Sequence, residues 1–346
     1  METSYQKWQQ EEGIPTIGGF SVESIRNVSL GPWKRKGGRG CFVNLEGTEL
    51  INDCYICEIE PGSSLEPQKH LFEEIIYVVS GRGATTIWNE GGKKQTFEWQ
   101  AGSLFSPPLN VWHQHFNGSG DQPARYLAVT SASVNINLFH NLDFIFKNDH
   151  VFKDRFSGAD DYFSSKGKFI GERVWESNFI PDVKTIKLLE WKERGAGGSN
   201  ILFVMSENAM AAHISEFPVG TYKKAHRHGP GAHVIILNGN GYSLLWQEGK
   251  PRVKVDWHEG SMVVPPSRWF HQHFNTGSEP ARYLALRWGS AKWGGIGGAF
   301  KVDESVKSGG DQIEYPDEDP EIRKLYKEEL KKHGGTWRMN AFFPGE

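Results

Sequence analysis

Cysteine is scarce in this chain of 346 residues: Cys41, Cys54 and Cys57 are its only thiols. Three thiols cannot build the disulfide framework that holds small secreted domains together. Cys54-Tyr-Ile-Cys57 has the spacing of a zinc knuckle, yet no second pair completes four ligands. Residues three apart on a strand also face opposite sides, so the three are read as structural thiols. Long apolar runs are missing too. No stretch approaches the ~18 uninterrupted apolar residues of a membrane span, and the polar start Met-Glu-Thr-Ser-Tyr-Gln-Lys-Trp lacks the apolar core of a secretion signal. The expectation is a cytoplasmic protein with no membrane partner. Neither sign of charge dominates: the net value is −3 and basic residues are spread among acids, so no nucleic-acid groove is expected. What the chain has in quantity is glycine, 40 residues, and tryptophan, 13, which imply many tight turns and large fillers.

The chain also contains itself. An offset of 158 carries His70 onto His228 and His113 onto His271, with Glu58 on Glu216, Gly62 on Gly220, Gly81 on Gly239, Trp88 on Trp246, Trp99 on Trp257, Gly102 on Gly260 and Asn117 on Asn275. No gap is needed from Glu58 to Asn117. One residue is then lost before Pro-Ala-Arg-Tyr-Leu-Ala at 123–128 meets its twin at 280–285. Two copies of one domain follow, and the chain is long enough for each to bury a core. Each copy reads as short strands punctuated by glycine: Ile75–Val79 stops at Ser80-Gly81-Arg82-Gly83, and Val234–Leu237 stops at Asn238-Gly239-Asn240-Gly241. Positive-φ turn residues between such runs predict hairpins. Glu90-Gly91-Gly92 and Glu248-Gly249-Lys250 mark the next turns. Strands at this spacing, with almost no helical periodicity, predict an all-β barrel or sandwich. The clearest helix lies in the tail, where Asp319 is an N-cap, Pro320 fits the first position, and Lys331, Lys332, His333 and Gly334 close it. Docking or dimer contact is its expected job.

The copies differ where chemistry is expected. His226-Arg-His228 places two imidazoles on one face of a strand, and His271-Gln-His273 does the same. If those strands are neighbours, three or four imidazoles converge, and neutral imidazole is the commonest protein ligand for a divalent transition metal. The first copy keeps His113-Gln-His115 but has Gln68-Lys-His70 in place of the earlier pair. Gln is a poor ligand. His70, Glu74 and His113 form an alternative set of two histidines and one carboxylate, while the plainer reading is a barrel that has lost its metal and serves as a packing partner.

Both copies resemble cupins. Gly220, then five residues, then His226-Arg-His228 fits the start of the first family motif. Gly260, five residues, Pro266-Ser-Arg268, Trp-Phe, His271, three residues and Asn275 fits the second, with Arg268 in place of the usual Gly. The first copy fits from Gly102 through Pro108 and His113 to Asn117, with Asn110 at that Gly position. The resemblance implies an all-β bicupin: two double-stranded β-helix (jelly-roll) barrels with a short C-terminal helix. The expected layout is an arm and first barrel over 1–140, a connector over 141–190, the second barrel over 191–295 and the tail over 296–346. The usual Glu is missing from the second copy, where Ala232 aligns with Glu74 and His233 follows. A three-histidine site of His226, His228 and His271 is therefore expected, with His233 as a fourth ligand only if a bulge turns it inward.

That pattern is similar to gentisate 1,2-dioxygenases, bicupin Fe(II) enzymes with three histidine ligands. The resemblance implies a dioxygenase acting on a small aromatic or oxygenated anion, with Fe(II) preferred and Mn, Ni, Cu or Zn as alternatives. A non-redox lyase, decarboxylase or isomerase and a non-catalytic binding bicupin are the rival readings. His273 is the candidate acid, base or donor. Arg268 and Arg287 are candidate anion clamps. Tyr222, Tyr242 and Trp246 are candidates for the barrel mouth or for filler. A small-molecule substrate and a homodimer are expected.

Overall fold

The architecture comes from a computed structural model in which residues 2–293 and 301–345 are described; the boundary expected at 295–296 lies outside them. Each repeat folds into one large, mainly antiparallel sheet and one small antiparallel sheet facing each other. In the first, Asp53–Ile59, Ala124–Thr130 and Glu74–Ser80 form the centre of the large sheet, and Trp112–Asn117, Arg82–Trp88 and Gln95–Gln100 form the small one. In the second, Met210–Phe217, Ala281–Trp288 and His233–Asn238 face Val253–Trp257, Gly241–Trp246 and Phe270–Asn275.

The large sheets are buried on both faces. Along Glu74–Ser80, Ile75, Tyr77 and Val79 point into a core shared by the two barrels, while Ile76 and Val78 fill the first barrel. Ile235 and Leu237 reach the same shared core, while Val234 and Ile236 fill the second barrel. Strand alternation thus serves two cores at once, which is why these runs are continuously apolar.

The glycine-marked hairpins need correction. Glu74–Ser80 and Arg82–Trp88 do not pair; the first belongs to the large sheet and the second to the small one. Gly81 and Gly239, with φ of +82° and +94°, are corners where the chain changes sheet. A Cβ there would lie 2.7 Å from the Ala124 Cα and 2.9 Å from the Ala281 Cα respectively, so glycine is required by conformation and by space. The Gly91 turn does join a true hairpin, Arg82–Trp88 with Gln95–Gln100.

Helices absent from the sequence reading occur at Ser4–Glu12, Ala132–Phe139 and Leu142–Lys147. The tail helix is Pro320–Lys332, with Asp319 accepting from the Glu321 N–H as N-cap. It lies on the outer face of the second small sheet. Tyr222, Tyr242 and Trp246 are buried there with Tyr326 and Leu330, so they are covered wall, not barrel mouth. Trp88 instead stacks on Trp112, with ring centres 6.1 Å apart. Among the described residues no helix is long and apolar enough to cross a membrane.

The repeat extends to its edges. Ser21–Val22, from the N-terminal arm, pairs with Met262–Val263 of the second barrel. Its twin at the same offset, Phe179–Ile180, pairs with Leu104–Phe105 of the first. Loops are exchanged in the same way. Asn52 donates to the Gly231 carbonyl (2.7 Å), and Glu73 accepts from the Ala209 and Met210 N–H groups (3.0 and 2.9 Å).

Candidate metal centre

The backbone brings the second-barrel histidines together before any side chain does. His226 and His271 exchange N–H···O bonds of 3.1 and 2.8 Å across an isolated antiparallel bridge. The Arg268 N–H donates to the His228 carbonyl at 2.8 Å, which pins the loop before His271 against the His228 segment. Ring centres then lie 4.0 Å apart for His226 and His271, 4.6 Å for His228 and His271, and 5.4 Å for His226 and His228. One nitrogen from each falls within 4.8 Å of the others. Carbonyls orient two of the rings: His228 Nδ1 meets Gly229 O at 2.7 Å and His271 Nδ1 meets Trp269 O at 3.4 Å. Outer bonds of this kind fix which ring nitrogen is free to ligate. Burial lowers all three imidazoles, His228 to about 4, so at neutral pH they are uncharged donors.

His233 is not in this set. Ala232 lines the cavity, whereas the His233 ring turns the other way, with Nδ1 against Gly231 O at 3.1 Å. Strand parity operates without a bulge, and the four-histidine option is not formed. Arg268 also departs from expectation: it is exposed, outside the cavity lining, with φ of +61°. Its position, like that of Asn110 at +58°, is the left-handed turn for which the cupin motif uses glycine. The backbone shape survives the substitution, but the guanidinium points away from the site. Arg287 does line the cavity.

His273 also lines it. Ser243 Oγ accepts the Trp257 indole N–H at 3.0 Å and meets His273 Nδ1 at 2.7 Å. The indole is a fixed donor to Ser243, and in the tautomer where the Ser243 hydroxyl donates to Nδ1 the His273 proton sits on Nε2 toward the cavity. The first barrel repeats the device as Trp99, Thr85 and His115. The cavity encloses about 200 Å³. Arg194, a buried wall residue, was not expected from the sequence; it ends the single 3-10 turn Lys192–Arg194 before the barrel, too short for a period to mark it.

In the first barrel, His70 Nε2 and His113 Nε2 lie 3.5 and 3.7 Å from Glu74 Oε2. Their Nδ1 atoms face the Phe72 and Val111 carbonyls at 2.9 and 3.1 Å. Gln68 does not join them; its amide oxygen accepts from Arg35 and its NH₂ donates to the Arg35 carbonyl. Burial would raise the Glu74 carboxyl, but the neighbouring His70 imidazole and the charge of Lys36 outweigh it and hold it well below the usual range. For a divalent ion the donor chemistry of both sets fits. His70 Nε2, Glu74 Oε2, His113 Nε2 and His226 Nδ1 are all buried with no partner, and such orphans call for a ligand.

Comparison with known proteins agrees with this geometry. Residues 55–130 match the Cupin domain family model. No curated protein matches the sequence. Among solved structures, a Bacillus subtilis oxalate decarboxylase studied for its Mn(II) centres superposes with a TM-score of 0.50 at 16% identity, over 79% of this chain and 78% of that one. The Lactobacillus farciminis oxalate decarboxylase in complex with formate gives 0.50 at 16% identity, over 78% of this chain and 86% of that one. The fold is a bicupin.

Proposed function

We propose that this bicupin is a metal-dependent dioxygenase whose second barrel binds a small oxygenated anion at His226, His228 and His271. One observation carries the reading: three neutral imidazoles converge at a cavity with no carboxylate among them. A divalent ion there would keep its full charge, which favours an anionic, chelating substrate. Three protein ligands also leave positions for that substrate and for dioxygen. The ion, Fe(II) in this reading, would supply Lewis acidity and a meeting point for the two reactants.

The chain's own residues do the rest. Arg287 offers a guanidinium to the substrate anion, and Ser243, itself bonded to the Trp257 indole, holds the His273 ring by Nδ1 at the cavity wall. Leu202, Val234 and Ala285 supply apolar wall that limits water. The one carboxylate lining the cavity among the described residues is Asp303, which is exposed. Among the described residues a general acid or base of the Glu type is thus lacking, which leaves His273 as the group placed to move a proton.

A second reading, metal-dependent decarboxylation without net redox change, is favoured by the oxalate decarboxylases that share the fold. The first-barrel set of His70, Glu74 and His113 is assigned a second ion, shielded from substrate by burial. The homodimer is assigned to the exposed outer strand Lys168–Gly171, where Phe169 is half open; light scattering at twice 39.1 kDa would support it.

Elemental analysis of protein purified without chelator, joined to oxygen uptake on a panel of phenolic acids, tests the main reading. His228→Ala should lose the second-barrel ion and oxygen uptake together. Turnover that releases carbon dioxide anaerobically would select the decarboxylase instead, and full activity without metal would end both.

A further inference from the structure

The two barrels handle a buried cation in opposite ways. The repeat offset places Trp33 on Trp191, Lys36 on Arg194 and Glu74 on Ala232. In the first barrel the Lys36 ammonium lies over the Trp33 ring at 5.2 Å and donates to Tyr55 Oη at 2.8 Å, and Tyr55 in turn donates to the Glu74 carboxylate. Cation and anion are both present, linked through one hydroxyl. In the second barrel Arg194 lies over the Trp191 ring at 5.1 Å, in the same relation, but the carboxylate has gone and Ala232 lines a cavity instead.

Among the described residues no buried carboxylate replaces the missing charge. Arg194 is 3% exposed, and its Nη1 donates only to neutral acceptors, the Val302 carbonyl and Gln312 Oε1, both at 3.0 Å. Its Nε has no partner, nor has Nη1 of Arg173, which also lies over the Trp191 ring, at 4.8 Å; the Trp191 indole N–H is also unpartnered. Lys223, buried behind them, donates to Ser215 Oγ and to Tyr283 Oη at 3.2 Å. Arg287 Nη1 meets the Trp288 carbonyl at 3.3 Å. Among the described residues none of the four cations has a carboxylate within ion-pair distance, and the exposed Asp303 is the one acid on the cavity wall. Burial lowers Arg194 to about 10, which leaves it charged at neutral pH. Buried charges and donors without partners are costly, and a well-placed anion repays that cost.

We propose that this cavity is built for a small molecule with two separated anionic groups, a dicarboxylate longer than oxalate. One carboxylate occupies the space that Glu74 fills in the first barrel, against Arg194 and Arg173 beside Trp191; Arg287 anchors the other. This rests on the reading of the cavity as the substrate site and narrows that substrate to a class. The preference for a dicarboxylate over its monocarboxylate does not depend on which ion the histidines hold, because the second carboxylate is read by Arg287.

Isothermal titration of the full chain, as purified and after chelation, tests it with succinate, glutarate and phthalate, each against its matching monocarboxylate, and with oxalate and inorganic phosphate. At least one dicarboxylate should bind about 100-fold more tightly than its monocarboxylate, since each charge-assisted contact is worth roughly a factor of ten or more. Arg194→Gln should bring that ratio near one. Ala232→Glu restores the first barrel's own carboxylate at a position where the fold accepts it, and should abolish dicarboxylate binding with the melting temperature preserved. The ratio should be the same before and after chelation, which separates this inference from the metal reading. Ratios near one for every pair, an unchanged ratio in Arg194→Gln, or oxalate or phosphate binding as tightly as the best longer dicarboxylate would overturn it.

Discussion

A histidine on a strand is a ligand or a filler depending on parity alone. His226 and His228 were expected on one face of a strand, yet they lie outside any strand, His226 in an isolated bridge to His271 and His228 in the irregular chain after it; strand parity does turn His233 away, onto the side where its twin Ile75 joins the shared core. Burial lowers the His233 pKa to about 4. The unfolded chain, with an ordinary value near 6.5, takes up the proton first, so His233 contributes stability that is present above that pH and lost as pH falls toward 4. The loss is about 3 kcal/mol. His233→Ile should therefore match the wild type at pH 7 and melt at a higher temperature at pH 4.5; parallel acid slopes for the two proteins would refute the assignment. Arg194 was not legible. Its chemistry depends on the absence of Glu at position 232, and that absence acquires meaning only when the loop carrying Arg194 is seen against the same wall.

The runs at Ile75–Val79 and Val234–Leu237 were read correctly as strands, while the turns after them at Gly81 and Gly239 were read as the wrong kind. A glycine with positive φ serves a hairpin and a change of sheet equally well, and composition does not separate them. Space does. A Cβ on Gly249, in the Gly241–Trp246 to Val253–Trp257 hairpin, meets nothing within 4 Å, whereas one on Gly239 presses on the Ala281 backbone at 2.9 Å. Gly249→Ala should cost about 1 kcal/mol, the penalty of its left-handed φ, and Gly239→Ala about 2–3 kcal/mol because a clash is added. Equal costs in urea denaturation would mean that the two turns are of one kind. The short helices at Ser4–Glu12 and Leu142–Lys147 escaped notice for a related reason: each is a few turns long, too short for a periodic pattern to stand out, and each is held by packing, through Tyr5, Trp8 and Ile145 in the first barrel's core. The tail helix was legible because its caps lie in the local sequence.

At the scale of the molecule, the two barrels share one apolar core and trade strands and loops across it. Repeat detection revealed two copies but not this exchange, since the arm strands are two residues long and carry no pattern of their own. The connector is exposed from Ser157 to Asp161. A protease site engineered there should yield two fragments that co-elute on gel filtration and melt in a single transition; fragments that separate without denaturant would show that the shared core is weaker than its burial implies. Two independent chains that swapped arms in this fashion would build the same object. Fusion into one polypeptide releases such a pair from symmetry, so that one half can lose an acidic side chain and open a chamber for a guest molecule while the other stays closed around its own.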